Sequence, residues 1–401
     1  MIRRIVVWGV AAGVLAAASL FWQAPASAAI VSDVTSGALT VTGDDENDVI
    51  EIRCGNDSNV KINRARPDSG AFPCTGVTSI AVMGGGGNDD IQLRRVEATD
   101  FSSLATVSID GGSGRDSIEG SQTPDTIGGG DGDDRIIIEA LADVVDGGLG
   151  HDSVELGVAG EVMISDGTLA ATEALYVTGS DGKDTIDASG FSGTVSLRGR
   201  DGGDSLVGGS AHNRLDGGGG DDALVGGPKR DHLSPGHGDD SVNGRGGWDF
   251  LGDGDGSDQL IGGPGNDTYS QVSGRGNELR GGPGIDHLNV QTLGSAHLTD
   301  QAMRWEFGRA ALSSIERATL RVAPDLPGAR LDAGGFSGTT LMWGSALDDD
   351  VLIGGSGRDE IQGFGGDDAL IGGAGNDRLF GGEGIDECDG GPGRDRLIDC
   401  E

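Results

Sequence analysis

The chain has 401 residues, a formal net charge of −37, 78 glycines and four cysteines, with aromatics scarce. Such acidity without a basic stretch argues against a nucleic-acid partner, because like charges repel, and favours a cation. Glycine lies far above its ordinary share of about 7%. High charge with few aromatics is also the composition of disordered chains, so only a regular pattern can argue for a fold.

Residues 1–28 differ in character from the rest. Arg3 and Arg4 precede an apolar run from Ile5 to about Phe21, and Ala26 and Ala28 follow. A charged start, an apolar stretch and an A-x-A site predict a secretory signal peptide. The alternative is an uncleaved anchor, against which the run is slightly short of the roughly 20 residues that span a bilayer. No other long apolar segment occurs, so the expectation is a secreted or extracellular protein with no membrane insertion after cleavage. Export makes the cysteines candidates for disulfides. Cys54 and Cys74 lie near one end, Cys388 and Cys400 near the other. Four cysteines allow three connectivities, and local pairing within each end is the expectation. Residues 29–83 carry apolar positions such as Leu39, Val41, Ile50, Ile52, Ile80 and Val82. They predict short strands that cap the N-terminal end, so that 29–110 forms a cap with a first repeat.

That repeat is a nonapeptide. It stands alone at 84–92 (GGGGNDDIQ, with Asp89 sixth) and fills 111–155 in five units. There the sixth position holds Asp116, Asp125, Asp134, Asp143 and Asp152. Residues 156–198 lack the turn motif and alternate apolar residues with turn signals, which predicts a spacer of strands. Eight units cover 199–270, with Asp204, Asn213, Asp222, Asp231, Asp240, Asp249, Asp258 and Asp267 sixth. A single unit with Asp286 follows at 281–289, closing a block over 199–289. Residues 290–353 form a second predicted spacer, in which Asp332–Gly338 echoes Asp187–Gly193. Within it 301–312 reads equally as a short helix or a strand. The last block, 354–401, holds five units with Asp359, Asp368, Asp377, Asp386 and Asp395 sixth, then a tail. The eighth position is apolar throughout this block and carries Cys388 in its fourth unit, from where a bond to Cys400 would fold the tail across the open end.

Each letter has a physical reason. Glycines permit positive φ and close backbone approach, so the first six residues form a turn whose carbonyls can share a centre. Aspartate adds a hard anionic oxygen, and an all-oxygen set suits calcium better than zinc or copper. The last three residues make a short strand with the eighth side chain inward. One such strand cannot bury its face alone, so the coils must stack.

The pattern G-G-x-G-x-D-x-U-x resembles the hemolysin-type, or RTX, calcium-binding repeat. The resemblance implies an all-β, right-handed parallel β-roll or β-solenoid in which two nonapeptides make one coil. Ions then sit between turns 18 residues apart, and both predicted spacers read as solenoid coils without calcium. The fourth glycine is replaced by Thr123 and Leu141 in 111–155, and by Ala211 and Lys229 in 199–270. The failures alternate, so one edge of the roll keeps its calcium turns while the other has partly lost them. The implied ligands are Asp89, Asp116, Asp134, Asp152, Asp204, Asp222, Asp240, Asp249, Asp258, Asp267, Asp286, Asp359, Asp368, Asp377, Asp386 and Asp395. Pairs of intact turns imply about nine ions, split two, four and three between the blocks. Those ions would offset roughly half the net charge.

No catalytic residue is expected. HExxH and G-x-S-x-G are absent, the six histidines are scattered, and no segment is large enough for a separate catalytic domain. Trp248 and Trp305 could line a sugar site but read better as packed or surface aromatics. The expected function is a secreted calcium-binding structural or surface protein. The alternatives are a module for a polysaccharide or cell-envelope component and, with less support, a polysaccharide-modifying enzyme resembling the mannuronan epimerases. Many RTX proteins leave the cell by a C-terminal signal, whereas this chain ends DRLIDCE.

Overall fold

A computed structural model describes residues 30–401 apart from 140–141, 271, 273–274, 293, 306–307 and 324–327. The expected signal peptide and Leu141 lie outside them. Among the described residues every regular element is a β-strand except one 3-10 turn at Cys74–Gly76. The strands are short because the repeat leaves only three residues between turns. Ser205–Val207, Ala223–Val225 and Ser241–Asn243 each bury their middle residue alone.

The strands stack into a two-faced parallel solenoid. One face is an open ladder from Val49–Cys54 to Arg396–Ile398 that runs nearly the whole length. Its register advances one coil at a time, with Leu215 on Leu233, Leu233 on Leu251 and Leu251 on Tyr269. The opposite face consists of two sheets. Seven strands run from Val31–Thr35 to Leu169–Ala170, and fourteen from Glu161–Ser165 to Glu387–Asp389. The inward eighth-position residues of both faces meet in a single long core, where Leu206, Leu215, Leu224 and Leu233 are fully buried. A buried leucine side chain stabilises by about 1.5–3 kcal/mol, and the gain recurs at every coil.

The ends and spacers differ in detail from the expectation. At the N-terminus two hairpins add antiparallel pairs, 31–35 with 38–42 and 49–54 with 60–62. Cys54–Cys74 pins the second hairpin, with 5.9 Å between Cα atoms. Residues 302–305 and 308–313 are strands, which settles 301–312 as sheet rather than helix. At the C-terminus Cys388 bonds Cys400, and the Glu401 amide donates to the Asp386 carbonyl at 2.9 Å. The tail therefore follows one edge instead of crossing the open end, and Leu397 stays 47% exposed.

Candidate metal sites

The six-residue turns lie on the two edges where the chain passes between faces. In most of them the sixth-position main-chain amide donates to Oδ1 of the equivalent aspartate one coil further on. Examples are Asp116 to Asp134, Asp204 to Asp222 and Asp249 to Asp267, at 2.7–2.8 Å. One carboxylate oxygen is thus spent on stacking. The other, Oδ2, is buried without a hydrogen-bond partner in Asp89, Asp116, Asp134 and Asp152, in Asp204, Asp222, Asp240 and Asp258, and in Asp249, Asp267 and Asp286. Asp368 and Asp377 carry the same orphan. A buried charge left unpaired is costly.

The glycines show what the orphan faces. A side chain on Gly217 would place its Cβ 2.3 Å from Asp222 Oδ2 and 2.4 Å from the Pro235 carbonyl oxygen of the next coil. Carboxylate and carbonyl oxygens converge beside the bare Cα, and no side chain fits between them. The fourth glycine is constrained differently: Gly220 has φ +116° and sits against the Gly202 carbonyl of the preceding coil. This donor set, hard oxygens from turn carbonyls plus one carboxylate per coil, fits calcium. Among the described residues no three His, Cys, Asp or Glu side chains group as a metal site, so any cation must draw on the main chain.

The orphans form separate runs, and the runs change edge. Asp89, Asp116, Asp134 and Asp152 stack on the edge that leads into the long ladder. Asp204, Asp222, Asp240 and Asp258 stack on the other edge. Asp249, Asp267 and Asp286 return to the first. This corrects the expectation that one edge keeps its turns while the other loses them. Over the first spacer the intact side switches, and in 244–289 both edges carry orphans. Spacer coils contain no multiple of nine residues, so phase cannot be carried across them from sequence.

Elsewhere protein groups satisfy the carboxylate. Asp125 takes the Ser121 amide and hydroxyl. Asp231 takes the Asn213 amide and side chain and the Gly227 amide. Asp359, an expected ligand, accepts from Gly355 and from the Thr340 amide and hydroxyl, and has no orphan. Asp386 accepts the Asp368 amide, and Asp395, in the last coil, is only half-buried.

Burial is the largest influence on the orphaned groups and pushes them up. The accepted amide pulls down, and neighbouring aspartates push up again. The balance holds Asp116, Asp286 and Asp368 at about 6 and Asp222, Asp249 and Asp258 at about 7. Without a cation these sites favour a proton at a pH where an ordinary carboxylate is charged.

Sequence reasoning missed four aspartates. Asp48 completes a unit at 43–51, with Oδ1 orphaned and Gly43 packed against Asp48 Oδ2 and the Gly84 carbonyl. Asp44 and Glu46 occupy its glycine positions, which hid it, although Gly43, Asp48 and Ile50 were in phase. Asp184 and Asp350 lie inside the predicted spacers, and both are satisfied by amides, of Gly160 and Ser180 and of Ala329 and Ser345. The spacers therefore contain Asp turns, contrary to expectation. Asp253 stands buried where a first glycine belongs, and Asn277 Nδ2 donates to both its oxygens.

Comparison with protein families agrees with this geometry. The family model described as "RTX calcium-binding nonapeptide repeat (4 copies)" matches residues 109–137, 198–233, 236–269, 346–379 and 362–397. The structure is thus a parallel β-solenoid built on calcium-type turns, and the chain carries RTX calcium-binding repeats. No curated protein matches the chain.

Proposed function

We propose that the chain is a secreted structural protein whose fold is completed by calcium at the orphaned turns. The observation that carries this reading is the runs of buried, unpartnered Oδ2 atoms, most of them beside a converging carbonyl. Ions sit between neighbouring orphaned turns, four between Asp48 and Asp152, three between Asp204 and Asp258 and two between Asp249 and Asp286. That is about nine ions, in a different distribution from the two, four and three read from sequence. They offset roughly 18 of the 37 net negative charges. Extracellular calcium modules bind at about 10⁻⁴–10⁻³ M, so arrival in a calcium-rich medium would trigger folding. The apolar leader at 1–28 supports export. Among the described residues no helix is long and apolar enough to cross a membrane. The reading assigns the chain no reaction.

The test is far-UV circular dichroism of the chelated protein during a calcium titration, with magnesium as control. A cooperative rise of β-signal near millimolar calcium, absent with magnesium, is expected. A β-signal that persists unchanged in chelator would overturn the reading.

A further inference from the structure

The outward side of the long ladder departs from the rest of this acidic molecule. The register aligns Arg214, His232, Phe250, Thr268, His287 and Arg317 in one column across successive coils, with no carboxylate among them. The Arg230 guanidinium adds to it from the edge, 5.0 Å from the Phe250 ring. On the opposite face the equivalent seventh-position column reads Ser205, Ala223, Ser241, Gln259 and Glu278 and holds no cation.

Beside the cationic column lies an open cleft of about 720 Å³. Ser234, Ser270, Val272, Asn289, Gln291, Arg321 and several glycines line it. Arg321 lies 3.7 Å from the Trp343 ring centre, so the guanidinium stacks on the indole at the rim. The two carboxylates that line the cleft are already engaged. Asp216 pairs with Arg198 at 3.3 Å, and Asp255 Oδ2 lies 2.9 Å from His237 Nδ1.

We infer that this cleft and the adjoining column bind a carboxylated polysaccharide. The argument begins with charge: a chain of net charge −37 gathers Arg214, Arg230, Arg317 and Arg321 on one strip of one face, complementary to an anionic polymer. Burial and the neighbouring arginines push the His232 and His287 imidazoles down towards their neutral form. The lining then selects among polymers. Val272 is the one large apolar side chain in it, and hydroxyls and side-chain amides offer donors and acceptors. They repeat at the strand spacing of about 4.7–4.9 Å, which suits a hydroxyl-rich periodic chain. A peptide bound by strand addition needs a free sheet edge, whereas these strands have neighbours on both sides. A single-stranded nucleic acid needs a row of stacking rings, whereas this surface presents Phe250 and Trp343 several coils apart. Of the arginines Arg321 lines the cleft, while Arg317 belongs to the adjoining column and Trp343 stands one coil beyond Arg321. A bound chain running on from the cleft would meet Trp343 with the apolar face of a sugar ring and Arg321 and Arg317 with its carboxylates. Trp248 and Trp305, the tryptophans singled out by sequence, are not in this cleft.

The inference rests on the calcium-folded solenoid, so the test uses the full chain in saturating calcium. Isothermal titration with hyaluronate oligosaccharides is compared with neutral dextran and with poly-L-glutamate. Hyaluronate is expected to bind, with affinity falling as salt rises, and dextran and poly-L-glutamate to bind at least tenfold more weakly or not at all. Arg321→Ala and Arg317→Ala should each weaken hyaluronate about tenfold, the loss of one charge-assisted contact. Trp343→Ala should weaken it as well. Arg378→Ala, on the same ladder beyond the cleft, should change nothing. Unaltered affinity in the Arg321, Arg317 and Trp343 variants, or equal binding of poly-L-glutamate, would overturn the inference. Circular dichroism of the same samples separates the two readings: protein unfolded in calcium overturns both, while folded protein that ignores hyaluronate overturns this one alone.

Discussion

The orphaned coils of 199–289 and the two spacers share one ladder and one core, yet they close their edges differently. In the former, Asp222 is 2% exposed and leaves Oδ2 unpartnered. In the spacers the stack is ended by protein alone, twice by the same device. Glu173 Oε2 accepts the Asp152 amide, and Glu316 Oε2 accepts the Asp286 amide, each at 2.8 Å. One coil on, Phe191 and Phe336 fill the edge, each 1% exposed. Gly193 and Gly338 pack against those rings and against the Glu173 and Glu316 carbonyls. A glutamate stop followed by a phenylalanine plug removes the need for a cation. Parallel stacking does not itself require the ion; burying a row of carboxylates does.

Chelation should break this comparison open most widely. At pH 8 without calcium, amide hydrogen exchange is expected to collapse through 84–155 and 199–289, while coils around 185–198 and 317–343 retain protection. Uniform loss or uniform retention across the chain would erase the distinction between the regions.

A substitution should change sign between conditions. Asp222→Asn removes a calcium ligand and should raise the calcium midpoint, yet in chelator it should stabilise, because a buried charge is gone. Asp231→Asn replaces one accepting oxygen by an NH2 donor that faces amides already donating there and should cost about 1–3 kcal/mol in both conditions. Thermal unfolding of both variants with and without calcium checks this. The same sign for Asp222→Asn in the two conditions would contradict an orphan that awaits a cation.

Acidity should stand in for calcium. Carboxyls raised above their unfolded value bind protons more tightly when folded, so their contribution is full below about pH 3.8. It is lost as pH rises through about 6 for Asp116 and about 7 for Asp222 and Asp249. Chelated protein should therefore lose stability between pH 4 and 8, while calcium affinity should rise over the same range as protons leave. Denaturant titrations at pH 5 and pH 8 measure the first, calcium titrations the second.

The smallest effect concerns the second turn position. Arg200 and Phe364 hold φ of +86° and +79°, where glycine stands in most turns. Arg200→Gly and Phe364→Gly should each stabilise by about 1 kcal/mol by relieving the left-handed backbone, read as a shift in unfolding midpoint. No gain in either would mean that side-chain contacts hold these residues there at no net cost.

Much of the solenoid was legible because one chemical constraint repeats. Wherever glycines, Asp and an inward apolar residue keep their spacing, local geometry and coil geometry coincide, as at Asp204, Asp222 and Leu224. Asp48 escaped because acidic residues replace its glycines, although its packing on Asp89 is that of its neighbours, with its amide 2.8 Å from Asp89 Oδ1. Asp359 looked like its neighbours and proved different, because its partner one coil back, Thr340, lies in a stretch with no repeat.

The sequence by itself determined the coil, since turn chemistry and a single inward side chain are properties of nine residues. Only the tertiary structure decided which edge each turn occupies and whether its carboxylate is satisfied. Both depend on the residue stacked one coil away, across spacers of irregular length. The tertiary structure likewise assembled the cationic strip, because Arg214 and Arg317 are distant in sequence and share one column only through strand register.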